Sequence, residues 1–104
     1  MQPNDNILDI REIIRNIAIH ATEASNASVN SAMIAISIST NNNTNIGAKI
    51  LSIAAFNAAL SSMSYAMIAI KSSDVENAHS AYTSAYNQAC IAAILAVDVA
   101  IISQ

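Results

Sequence analysis

"IAAFNAALSSMSYAMIAI", residues 53–70, is eighteen residues long and carries no charge. A run of this kind is a membrane span, the core of a small domain, or a face that meets other copies of the same chain. About 20 apolar residues cross a bilayer, and residues 50–70 reach that length. Ser52, Asn57, Ser61, Ser62, Ser64 and Tyr65 all lie inside it, however, and uncompensated polar groups oppose insertion. No Trp or Arg belt flanks the run, and Lys49 and Lys71 bracket it symmetrically, so they set no orientation. Membrane contact is compatible with this pattern, but an integral span is not expected.

The run belongs to the second of three helical segments. Clustered Asn and Thr in "TNNNTNIG" (residues 40–47) favour a break, because their side chains compete for backbone hydrogen bonds. Thr44 or Asn45 then caps a helix over about 45–71. Its large stripe is Ile46, Ile50, Ile53, Leu60, Met67 and Ile70. Its small face is Ala54, Ala55, Ala58, Ala59, Ser62 and Ala66. The first helix spans about 5–38, capped at Asn4 or Asp5, with Ile7, Ile10, Ile14, Ile17, Ala21 and Ala24 at three- and four-residue steps. "IAISIST" (34–40) alternates like a strand and is read as a helix end or extended exit. The third helix covers about 74–102 behind a Ser73–Glu76 capping box. Ala78, Ala85, Ala92 and Val99 repeat at seven residues, interleaved with Tyr82, Ala89 and Ala96. Two such rows make a coiled-coil-like seam.

Composition agrees with an all-α chain of one domain, residues 1–104. Apolar residues make up 54%, charged residues only 11%, and there is one Gly and one Pro. Soluble domains carry about 25% charge, so this chain has little to hold copies apart. The net charge of −3 without a basic run disfavours nucleic acid as a partner. Cys90, the single cysteine, is expected to be a small buried hydrophobe within "QACIAAILA". "MQPNDNILDIREIIRN" lacks a basic lead and apolar block, so a signal peptide is not expected and the cytoplasm is the expected location.

Chemistry-bearing groups are sparse. No metal-ligand spacing, nucleophile elbow, phosphate loop or paired-carboxylate motif is present, so neither an enzyme nor a cofactor is expected. His20 and His79 are distant in sequence. Asp98 lies inside the apolar run "ILAVDVAII". A desolvated carboxylate resists ionisation, so Asp98, with His20 or His79, is the candidate for pH-sensitive packing.

"ILSIAAFNAALSSMSYAMIAIKSS", with its Asn57-Ala58 pair followed by the polar run "SSMSYAM" (61–67), resembles the central helix of the R-body (refractile body) structural proteins, the Reb family. The resemblance covers about residues 46–90, and the family's glutamine-rich run is replaced here by Ser, Met and Tyr. It implies a bacterial subunit that polymerises into a coiled ribbon, stored as a cytoplasmic inclusion and extended by a pH change, without an active site.

The reading is therefore two to three long Ala-rich amphipathic helices in a bundle or coiled-coil-like layer within a larger assembly. The partner is the chain itself, or a related companion subunit. The residues expected to meet across subunit boundaries are Ala54, Ala55, Ala58, Ala59, Ala78, Tyr82, Ala85, Ala89, Ala92 and Ala96. The competing readings are a small soluble binding protein of the immunity or antitoxin kind, and a membrane-active helical protein.

Overall fold

Helix α1 (Pro3–Asn41) opens on proline, which suits a first turn because that turn has no use for its N–H. Helices α2 (Ile46–Lys71) and α3 (Val75–Ile102) follow. The computed structural model describes residues 3–41 and 45–104, with side chains from Asp9 onward, and among these residues there is no strand. The fold is an all-α bundle of three long helices, each packed against the other two. The caps expected at Asn4 or Asp5, and Ile7, fall outside the described side chains, as does Thr44 outside the described residues.

Two local expectations change, at 34–40 and at the start of α3, while the cap of α2 is one of the two residues expected. The alternating stretch 34–40 is helical through Asn41. The Ser39 and Thr40 hydroxyls fold back onto the Ile36 carbonyl at 3.0 and 2.7 Å, and Ala35 and Ile38 pack in the bundle core. Packing overrides a weak strand preference. Asn45 caps α2, its Oδ1 accepting from the Ala48 N–H at 3.0 Å. For α3 the cap is Asp74 rather than Ser73, accepting from the Asn77 N–H at 2.7 Å and its side-chain amide at 2.9 Å. A carboxylate at this position combines cap and dipole stabilisation.

The core is made almost wholly of small residues. Ala32, Ala35, Ala48, Ala55, Ala59, Ala96 and Val99 form one cluster; Ala21, Ala66, Ala69 and Ala81 form another. Five serines are buried with them: Ser25, Ser28, Ser39, Ser52 and Ser62. A buried hydroxyl must find a partner. Ser28 and Ser52 bond back to the carbonyls of Ser25 and Lys49, at 2.6 and 2.8 Å. Ser39 bridges α1 to the Ser52 hydroxyl at 3.1 Å, and Ser62 bridges α2 to the Ala85 carbonyl at 2.8 Å. Nothing larger than valine is fully buried, and small side chains at a contact allow helices to approach closely.

The result is a rod of 64 × 14 × 14 Å. Its length comes from α1, whose 39 residues span about 58 Å at 1.5 Å each. The 26 and 28 residues of α2 and α3 reach only about 40 Å. Ile70, near the end of α2, lies beside Ala18, Ile19 and Thr22, so the first turns of α1 project past its partners.

Candidate assembly surface

Most of the alanines expected at subunit boundaries instead close the chain on itself. Ala55, Ala58, Ala59, Ala78, Ala85, Ala92 and Ala96 are buried within one chain; Ala54, Tyr82 and Ala89 are half-buried. The seven-residue rows on α3 are thus an intramolecular seam. The reason is steric: closely packed helices leave room between them mainly for small side chains, with Val99 the largest that is fully buried.

The large side chains consequently point outward. On α2, Ile46 is 71% exposed, Ile50 and Ile53 61%, and Phe56 47%. On α3, Ile94 is 61% exposed and Val97 57%. Met33, Ile34, Leu60, Met63, Met67, Ile68, Ile70 and Ile101 join them. The stripe Ile46–Ile50–Ile53–Leu60–Met67–Ile70 visible in the sequence is therefore the outer face of α2. Sequence pattern reveals such a stripe without showing which side of the helix meets its neighbours. Total exposed surface is 6555 Å²; a compact monomer of 10.9 kDa presents about 5,600 Å². Large exposed apolar patches are rare on monomeric proteins, and this chain exposes large apolar side chains on all three helices.

Between α1 and α2 the exterior forms an apolar groove of about 280 Å³. Val29, Ala32, Met33 and Ile36 line one wall, and Phe56, Ala59, Leu60 and Met63 the other. Further toward the α2 C-terminus the same inter-helix face carries Arg15, Thr22, Glu23 and Ile70.

Cys90 is exposed, against the expectation of burial. It lies seven residues before exposed Val97, on the outer flank of α3. Asp98 is half-exposed beside buried Val99, so within a single chain it retains water. His20 bonds through Nδ1 to Glu23 Oε1 at 3.0 Å, both exposed. The rings of His20 and His79 flank Tyr82, with centroids at 6.4 and 6.3 Å, and Tyr86 continues the stack at 6.1 Å. The fold thus joins the two histidines through Tyr82 across α1 and α3, a contact the sequence could not show. Asp98 is sixteen positions beyond Tyr82 along α3, about 24 Å away, so it shares no site with them. Among the described residues no group of three metal-ligating side chains gathers.

Set against known protein families, characterised proteins and solved structures, the chain finds no match.

Proposed function

We propose that this protein is a self-assembling structural subunit, built to pack side by side with copies of itself into a helical protein polymer. The supporting observation is the inversion of its surface: small residues fill the interior while Ile, Met, Phe and Val form the exterior. Completing the burial of one such half-exposed side chain is worth about 1 kcal/mol, and the rod carries them on all three helices. Sparse charge leaves little repulsion to oppose contact. A coiled ribbon of the R-body type, extended by a pH change, is the finer form of this proposal, and its support is the resemblance around Asn57-Ala58. A cytoplasmic inclusion, with or without a companion subunit, belongs to the same proposal.

The test is to purify the chain alone and combine sedimentation with negative-stain electron microscopy. Ribbons, sheets or filaments are the expected product. Uniform particles of one-chain size would end the self-assembly reading.

A second reading has its own observation. Ile46–Lys71 and Val75–Ile102 are both long and apolar enough to cross a membrane. An α2–α3 hairpin in lipid would also bury the outer isoleucines. It predicts flotation with phosphatidylcholine vesicles and no ordered polymer.

A further inference from the structure

The geometry points to a repeating contact in which the outer ridge of α3 on one copy lies in the α1–α2 groove of the next. The two copies are related by a sideways shift without rotation. This rests on the self-assembly reading above and specifies its interface.

Each helix packs on both others, so the α1–α2 groove lies on the side of the rod away from α3. At 100° per residue, Ile94 and Ile101 form the crest of α3, directed away from the buried row Ala78, Ala85, Ala92. One flank of that crest is the row 84, 91, 98. It lies on the α2 side, because Asn77 and Ser84 of that row line the α2–α3 cleft with Tyr65 and Ile68. The other flank is the row 76, 83, 90, 97. It lies on the α1 side, because Val97 borders Ile34 and Ile38. A shift without rotation keeps each flank on its own side. The row of Ile91 and Asp98 then meets the α2 wall of the next groove, where Lys49 stands one heptad before Phe56. The row of Glu76 and Val97 meets the α1 wall, where Arg15 shares a heptad row with Val29 and Ile36.

The axial levels agree. The α2–α3 register is set by the bonds of Ser62 to the Ala85 carbonyl and Asn45 to the Ile102 carbonyl. Counting on from either bond puts 49 level with 98 and 56 level with 91. The α1–α3 register is set by the His20–Tyr82 ring contact; counting from it brings Arg15 within one residue of the level of Glu76. The in-register shift therefore opposes Asp98 to Lys49 at one end and Glu76 to Arg15 at the other. Both pairs are of opposite sign, and between them the ridge carries Ser80 and Asn87, then Ile91 and Ile94. Among the described residues the one ion pair within the chain is His20–Glu23, which leaves these four charges for a neighbour. Ridge and groove are different surfaces, so the contact is heterologous and propagates as an open row rather than closing as a dimer.

The experiment uses Lys49→Glu and Asp98→Lys, each alone and in equimolar mixture, with circular dichroism to show that both remain helical. Each single variant opposes like charges along the row. Its critical concentration for sedimentable assembly should rise about fivefold at low salt, and the deficit should shrink at high salt. The mixture should recover wild-type assembly, because alternating copies restore an opposite-charge pair at every contact. Arg15→Glu with Glu76→Arg, at fully outward positions, repeats the test should Asp98→Lys unfold. Single variants that assemble like wild type, or a mixture no better than its components, would overturn this contact while leaving self-assembly intact. A wild-type chain that stays monomeric, or enters phosphatidylcholine vesicles instead, overturns the self-assembly reading and this contact with it.

Discussion

Replacing Ala85 by Leu tests the small-residue interior directly. Ala85 is fully buried on α3, and its carbonyl accepts the Ser62 hydroxyl of α2 at 2.8 Å. Leucine adds three carbons at a point where α2 is held close by that bond. None of the grooves described above is lined by Ala85, so the added atoms have no ready space. Overpacking of this kind costs about 1–3 kcal/mol, and the closed surroundings place Ala85→Leu near the upper end. For a chain of this size that corresponds to a fall in Tm of about 10–20 °C. Ala89, half-buried on the same helix, should tolerate Leu with a smaller loss. The assay is thermal unfolding by far-ultraviolet circular dichroism, below the concentration at which copies associate. Ala85→Leu melting within about 2 °C of wild type would refute an interior set by alanine-distance helices. Loss of assembly with unchanged Tm would return Ala85 to the subunit boundary, where the sequence reading placed it.

Three further outcomes follow from single contacts. Ser62→Ala removes the hydroxyl that ties α2 to the Ala85 carbonyl; denaturant unfolding should show a loss of about 1 kcal/mol, whereas an unchanged midpoint would mean that water or repacking substitutes for it. Asn45→Ala removes both the α2 cap and the bond to the Ile102 carbonyl; about 1–2 kcal/mol should be lost, with amide exchange faster at the first turn of α2. Cys90, exposed on the outer flank of α3, should react promptly with a water-soluble thiol reagent in the dispersed chain and at least tenfold more slowly once copies pack ridge to groove. Equal rates in both states would place Cys90 outside any interface.

The number, type and approximate limits of the helices were legible in the sequence, because they follow from local chemistry. Asn45 and Asp74 provide caps, Asn and Ser clusters break the chain, and alanine-rich stretches without glycine or proline propagate helix. The inward face was not legible. On α2 one periodic stripe is large and another is small, and transfer energies alone would bury the large one. The structure buries Ala48, Ser52, Ala55, Ala59, Ser62, Ala66 and Ala69 instead. That choice depends on α1 and α3 offering alanines at matching levels, which is a property of three segments together. Cys90 was misplaced for the same reason: its apolar neighbours in sequence lie on several faces of the helix. The meeting of His20 with His79 around Tyr82 depends on the register of α1 against α3, which no local pattern encodes.

What covers the outer isoleucines can be argued from the polar residues among them. Asn26, Asn30, Asn57 and Asn87 are all exposed and lie well inside the helices. In a lipid-embedded α2–α3 hairpin the amides of Asn57 and Asn87 would lose their water without a partner, at a cost of several kcal/mol. Against another copy the same amides meet hydrogen-bonding groups. In the shifted row, counting from the His20–Tyr82 contact brings Asn87 within one residue of the level of Asn26 on the neighbouring α1. The crest of α3 changes character along its length, from Ser80 and Asn87 to Ile94 and Ile101. The groove carries Thr22 and Glu23 beside Ala18, Ile19 and Ile70 at one end, and Met33 and Ile36 beside Phe56 and Leu60 at the other. Lipid would reward a uniformly apolar exterior; a ridge that carries Ser80 and Asn87 at one end fits a neighbour that offers the Asn26 amide at the same level.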